Sequence, residues 1–287
     1  MPELPEVDII KQSLKKSILN KKIIKVIINN RNLRFKINKN TERLLKNRKI
    51  IYVSRIAKYL IIYLDDGKII IFHFGMSGTL HLIKKNKSTY YTNLSFYGNI
   101  KLANNHNHIV IIFKKFKIIY NDPRRFGFIK VIDNRKKLKK YFQKIGPEPL
   151  DKIFSFEYLK KKLEYKKKNI KNILLDQSLV SGLGNIYVNE ILFYARVNPL
   201  KSGQSLRYDS IKNIIKYSKL VLKIAIKSGG SSIRDFKSTD GNKGNFQDEF
   251  KVYGKNNHEC PRYKCNGKIL KVTISNRSSF YCNSCQK

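Results

Sequence analysis

Met1-Pro2-Glu3-Leu4-Pro5-Glu6 opens the chain, and Val7, Ile10, Leu14 and Ile18 follow at helical spacing. That apolar period predicts an amphipathic helix over 5–18, with Pro5 in the first turn and Glu6 and Asp8 at its positive end. The same stretch has a chemical reading. A small residue such as Pro2 permits removal of Met1, which would leave a secondary amine at the chain start. An α-amino group titrates near pH ~8, so part of it is unprotonated at neutral pH. Such an amine attacks electrophilic sugar or carbonyl carbons and forms imines. Glu3 and Glu6 lie close enough in sequence to donate and accept protons beside it. Helix start and nucleophile are both consistent with these six residues taken alone.

Beyond the helix the period changes. From Lys22 to Val131 short β-branched runs recur, at 23–28, 50–53, 59–64, 69–74, 109–113 and 117–120, with a hairpin turn at Leu64-Asp65-Asp66-Gly67-Lys68. Many short strands separated by turn residues predict a β-sandwich. The stretch Asn104–His108 reads as a loop with solvated histidines. Gly146-Pro147-Glu148-Pro149 then breaks the pattern, after the basic run 136–144. Helical spacing follows at 156–165, 170–175, 186–195 and 211–227, and Ser228-Gly229-Gly230-Ser231-Ser232 opens a polar loop running to about Gly244. The fold class is therefore α+β. It comprises a β-sandwich with an N-terminal helix over 1–134, a linker over 135–150, a helical domain over 151–250, and a cysteine-bearing end over 251–287.

Lys and Arg number 60 against 20 Asp and Glu, a net charge of +40 over 287 residues. A charge of that size points to a polyanionic partner, nucleic acid first. Part of it also follows from a composition saturated in Lys, Ile and Asn, which an AT-rich genome would encode anyway. The acidic start lacks the apolar stretch of a secretory signal, and no run approaches the ~18 apolar residues of a membrane span. These features predict a soluble, cytoplasmic protein without a membrane partner.

All four cysteines fall after residue 259, as Cys260-(x4)-Cys265, sixteen residues, then Cys282-(x2)-Cys285. Two pairs bracketing a short insert suit a tetrahedral thiolate site for one zinc ion, and four thiolates leave no position for a reacting water, so the metal is structural. In a reducing compartment disulfides are disfavoured. The insert carries Ile269, Val272 and Ile274, then Asn276-Arg277-Ser278-Ser279 and Phe280: strand, turn, strand, with Arg277 at the tip. Elsewhere, Leu183-Gly184-Asn185-Ile186 precedes a helix, where backbone N–H groups can face a phosphate; a plain cap by Asn185 explains it equally. Asp122-Pro123-Arg124-Arg125-Phe126-Gly127 is a turn that either pushes Phe126 between bases, with arginine replacing a lost partner, or buries Phe126 in the core. Met76, in His73-Phe74-Gly75-Met76-Ser77-Gly78, reads as core filling. Lys58 is one lysine among many.

Together these stretches resemble the formamidopyrimidine-DNA glycosylases, bacterial base-excision enzymes for oxidised purines. The resemblance runs nearly end to end, through Pro2–Val7, Lys58-Tyr59-Leu60, His73–Gly78, Asp122–Gly127, Gly146–Leu150, Leu174–Glu190, Gly229–Phe236, Asp240–Gln247 and the terminal ribbon. It implies that Pro2 is the nucleophile at C1′ of the damaged nucleotide, with Glu3 as general acid/base and Glu6 as a supporting carboxylate. Lys58 would contact phosphate beside the lesion and assist catalysis. His73, Met76, Arg124, Arg125 and Phe126 would face the DNA. Of these, Met76, Arg124 and Phe126 would fill the hole left by the flipped nucleotide. Asn185 of a helix-two-turn-helix and Arg277 of the ribbon would grip phosphates, Cys260, Cys265, Cys282 and Cys285 would hold the zinc, and 229–244 would close over the extruded base. The implied partner is duplex DNA carrying a damaged base, bound by a monomer associated with the nucleoid. C1′ is inaccessible in a stacked duplex, so the nucleotide must be flipped out. The chain departs from the family's pattern in the four-residue spacing of its first cysteine pair and in Ser278-Ser279 after the ribbon arginine. Leu4 and the Arg-Arg-Phe stretch set it apart from the related endonuclease VIII enzymes for oxidised pyrimidines. A non-catalytic zinc-ribbon binder is the rival of another class.

Overall fold

The computed structural model describes residues 1–84, 91–94, 104–231 and 246–287. The chain divides into two compact units, Met1–Gln143 with Ser228–Gln247, and Lys144–Lys227 with Asp248–Lys287.

In the first unit helix α1 spans Leu4–Ile18, and Val7, Ile10, Leu14 and Ile18 are buried on one face, as their spacing requires. Strands β1 (Lys25–Ile28), β2 (Ile50–Ile56), β3 (Tyr59–Leu64), β4 (Ile69–His73), β5 (Thr79–Lys84), β6 (Tyr91–Leu94), β7 (Asn107–Ile112), β8 (Phe116–Asn121) and β9 (Phe128–Ile132) form two antiparallel sheets. Their orders are β1-β7-β8-β5-β6 and β2-β3-β4-β9. A short helix α2 (Thr41–Leu45) follows β1. Val26, Leu80, Ile109 and Ile118 from one sheet meet Val53, Leu60, Ile70 and Phe72 from the other, and the apolar face of α1 joins the same core. The alternation of apolar residues along these strands thus builds the expected sandwich. The outer face of the second sheet is closed by α3 (Arg135–Phe142), whose Leu138, Tyr141 and Phe142 pack against Ile61, Ile71 and Phe128. Residues 135–142, read as part of a linker because lysine dominates them, are therefore a helix: three apolar side chains at helical spacing suffice to anchor it.

The expected loop 104–108 is also corrected. His106 lies in a short helical turn, but His108 belongs to β7, is 1% exposed, and its Nε2 lies 2.8 Å from the carbonyl of Asp122. An Asn-rich run concealed a strand start whose side chains are buried, Asn107 accepting from Asn121 at 2.9 Å.

The second unit holds α4 (Phe156–Leu163), α5 (Ile170–Leu175), α6 (Asn185–Tyr194) and α7 (Tyr208–Lys227), followed by the hairpin β10 (Ile269–Ile274) and β11 (Arg277–Cys282). Two turns join α5 to α6. Gln177 knits them, accepting from the Gly182 N–H at 2.9 Å and donating to the carbonyls of Leu175 and Leu183. The hairpin reverses at Ser275 and Asn276, both in the left-handed region, so Arg277 starts β11 rather than sitting at the tip. The expected loop through 244 lies, from 232 to 245, outside the described residues.

Candidate active site and cysteine cluster

The start of α1 is a polar corner built on a capping box. The Glu3 side chain accepts from the Glu6 N–H, and Glu6 Oε2 accepts from the Glu3 N–H at 2.9 Å. The other oxygen of Glu6 accepts from the N–H and hydroxyl of Ser231, at 2.9 and 3.0 Å. Gly230 makes this approach possible: its φ is +80°, and a Cβ there would stand 3.3 Å from Glu6 Oε1. Glu6 is thus the brace between the chain start and the segment after α7. Sequence reasoning placed Glu6 here but missed Ser231, whose partner lies 225 residues away.

Lys58 joins this corner through the β2–β3 turn. Arg55 donates from Nε to Asp8 of α1 at 3.2 Å and from its guanidinium to the Ala57 carbonyl at 2.9 Å, fixing the turn against the helix. Ala57 takes a positive φ, and Lys58 is 6% exposed, far from the solvated lysine that its surroundings in sequence suggest. The α-amine of Met1 is held below its usual value of 8.0. Burial is the largest cause; Lys58 and Arg124 add to it, and Glu3 and Glu6 oppose it. Exclusion of water thus outweighs the charges around it.

Two loops stand over the corner. Met76 is 44% and Phe126 45% exposed, so neither fills the core, and the Arg124 guanidinium lies 4.5 Å from the Phe126 ring centre. Arg125 adopts a positive φ that closes the turn after Asp122. His73 differs from these. Cross-strand pairing aligns it with Tyr59 and Phe128 in an aromatic row, and its Nδ1 accepts from the Gly75 N–H at 3.2 Å. Burial, with Lys58 and Arg34 nearby, lowers its pKa to about 4, so it is a neutral ring at pH 7.

In the second unit α6 gathers the ribbon. The N-cap is Gly184 rather than Asn185, whose Nδ2 instead donates to the Ser278 carbonyl at 3.0 Å. Asn189 Oδ1 accepts from the Phe280 N–H at 2.7 Å, and buried Glu190 accepts from the N–H groups of Lys251, Val252 and Tyr253. Fully buried Lys171 of α5 donates to Ser278 and Ser279. None of these tethers was legible, because each polar side chain looks like a surface residue until its partner is placed. Arg277 lines an open basic cleft of about 620 Å³ with Lys166, Lys167, Lys168 and Asn172.

The thiols of Cys260, Cys265, Cys282 and Cys285 all lie within 4.8 Å of one another. Cys260 and Cys285 are 3.8 Å apart and Cys265 and Cys282 3.7 Å, against the ~3.8 Å between corners of a tetrahedron with metal–sulfur bonds of ~2.3 Å. The four-residue knuckle is accommodated by Arg262, which donates to the Phe193 carbonyl at 2.7 Å and stacks on that ring.

Residues 1–129 match the formamidopyrimidine-DNA glycosylase N-terminal domain and residues 145–237 the formamidopyrimidine-DNA glycosylase H2TH domain. The chain is 39% identical over 287 residues to the formamidopyrimidine-DNA glycosylase of Wolbachia pipientis subsp. Culex pipiens, covering all of both chains. It is 36% identical over 288 residues to that of Neisseria meningitidis, again covering all of both. Among solved structures, Lactococcus lactis Fpg in complex with abasic-site DNA matches with a TM-score of 0.87 and 33% identity over 99% of each chain. A mutant of that protein in complex with Fapy-dG DNA matches at 0.88 and 33% over the full length of both. Fold and relatives together define a DNA glycosylase. The chain belongs to the formamidopyrimidine-DNA glycosylase family.

Proposed function

We propose that this chain, acting as a monomer, excises oxidised purines (8-oxoguanine and formamidopyrimidines) from duplex DNA and then cuts the strand, using the Pro2 nitrogen left when Met1 is removed. The observation that carries this reading is buried Pro2, with the chain-terminal amine set among Glu3, Glu6, Lys58 and Arg124. Exclusion of water together with two cations lowers the pKa of an amine there and so favours its unprotonated, nucleophilic form. The Pro2 lone pair attacks C1′; the glycosidic bond breaks, and its electrons leave with the base, which takes up a proton. Glu3 delivers a proton to O4′ as the sugar ring opens, giving the iminium. Loss of a C2′ proton expels the 3′ phosphate, a second elimination expels the 5′ phosphate, and hydrolysis frees Pro2. Glu6, already engaged by Glu3 and Ser231, holds the corner rather than exchanging protons.

Flipping the nucleotide costs a few kcal/mol of unstacking. Exposed Met76, Arg124 and Phe126 fill the hole, Arg124 facing the orphaned cytosine. His73 supports them from below as a neutral group, and Arg125 reaches the backbone. Asn185, Arg277 and the lysines of the basic cleft grip phosphates. Zinc fits the four thiolates of Cys260, Cys265, Cys282 and Cys285, and when bound it supplies only structural cross-linking of the ribbon. In domain terms, residues 1–134 carry the chemistry, 151–250 grip DNA, and 251–287 form the ribbon. Among the described residues no helix is long and apolar enough to cross a membrane; a DNA substrate places the protein with the nucleoid in the cytoplasm.

Single-turnover excision on duplexes carrying 8-oxoguanine or thymine glycol tests the substrate assignment. Faster release of 8-oxoguanine opposite cytosine is expected. Preference for thymine glycol would move the chain to the pyrimidine-excising side of the fold.

A further inference from the structure

Beneath the two exposed loops lies a buried carboxylate with no role in the chemistry above. Asp122 is fully buried. Its Oδ2 accepts from the Gly127 N–H at 2.8 Å and from the Tyr120 hydroxyl at 3.1 Å, while its Oδ1 accepts from the Ser77 hydroxyl. Ser77 Oγ in turn accepts from the Arg124 N–H at 3.2 Å. Ser77 follows Met76 directly, and Gly127 follows Phe126. One carboxylate therefore ties the loop that presents Met76 to the loop that presents Arg124 and Phe126. The backbones confirm how closely the loops are seated. A Cβ on Gly75 would fall 2.4 Å from the Phe126 carbonyl carbon, and one on Gly127 would fall 1.9 Å from the Tyr120 hydroxyl and 2.5 Å from the His73 carbonyl oxygen.

We propose that Asp122, with Ser77 as its link, is the positioning residue that makes Met76, Arg124 and Phe126 a single rigid wedge. The inference rests on the void-filling role proposed for those three side chains. An exposed methionine and an exposed phenylalanine on separate loops would each lose conformational freedom on entering the base stack. Locking both loops beforehand removes that cost from the flipping step. A carboxylate accepts from all three neighbours at once; an amide in its place would have to turn the Ser77 hydroxyl from donor to acceptor, weakening the link between the loops. Asp122 touches no reacting atom, so its effect should appear where a base must be unstacked and not where the base is already gone.

The test compares two substrates in single-turnover reactions: a duplex with 8-oxoguanine opposite cytosine, and the same duplex with a pre-formed abasic site, which has no base to extrude. Asp122→Asn and Ser77→Ala are expected to slow 8-oxoguanine excision by about tenfold or more, while borohydride capture on the abasic duplex stays within about threefold of wild type. Ser77→Ala removes only the link between the loops and decides the matter should Asp122→Asn fail to fold. Equal slowing on both substrates, or no slowing on either, overturns the proposal. Absence of capture by the wild-type protein on either substrate would instead remove the covalent mechanism itself.

Discussion

The corner at the chain start and the cysteine ribbon solve the same problem, holding a few side chains in fixed geometry, by opposite means. The ribbon draws its four thiols from 26 consecutive residues and brings them into one cluster. The corner assembles residues 3, 6, 58, 124 and 231 by hydrogen bonds, burial and charge. One rests on a local cysteine cluster, proposed to hold zinc, with tethers from Lys171 and Asn189; the other depends on the whole sandwich being folded. Removal of single groups should therefore produce different failures in the two places.

The largest effect is expected at Pro2. An N-terminal extension, which ties the Pro2 nitrogen up in an amide, should lower excision by on the order of a thousandfold or more, since the covalent route is lost, while affinity for damaged duplex, read by anisotropy, changes little. Parallel loss of binding would count against a purely chemical role. Next comes the ribbon. Cys282→Ala, or chelation of the metal, should reduce bound zinc from one equivalent to none and weaken DNA binding by on the order of a hundredfold, leaving base chemistry on saturating DNA largely intact. Full affinity without metal would make the ribbon dispensable. Arg277→Ala should cost about tenfold in affinity and flatten the salt dependence by close to one phosphate contact.

Smaller effects concern protons. Lys58 depresses the amine's pKa, so Lys58→Met should move the acid limb of the excision profile to higher pH as well as lower its height; an unmoved limb would leave burial and Arg124 as the causes. His73 has a folded pKa of about 4 against 6.5 for the free side chain. The unfolded chain therefore binds the extra proton between those values, and stability falls as pH drops through that window. His73→Phe should flatten that part of the stability curve, measured by urea midpoints from pH 7 to 4.

The same contrast explains what the sequence disclosed. Cysteine spacing, the helix period of Val7, Ile10, Leu14 and Ile18, and the alternating strands are local patterns, and the structure bears them out. Residues whose roles depend on distant partners were illegible. Asn189 and Glu190 carry no local signal in their helix, Lys171 is one of 60 basic residues, and Ser231 lies in a polar loop. His108 read as solvated for the same reason: nothing in an Asn-rich run announces that a carbonyl 14 residues on will pair with its Nε2. Lys58 and Met76 were singled out only by resemblance. The energy that fixes them, a braced turn and a pair of interlocked loops, is tertiary.

Borohydride reduction of the protein with 8-oxoguanine duplex, followed by peptide mapping of the conjugate, tests the central claim most directly. The nucleotide should be found on the Pro2 nitrogen of a chain lacking Met1. A conjugate on a lysine, or none from an enzyme that still releases the base, would contradict it.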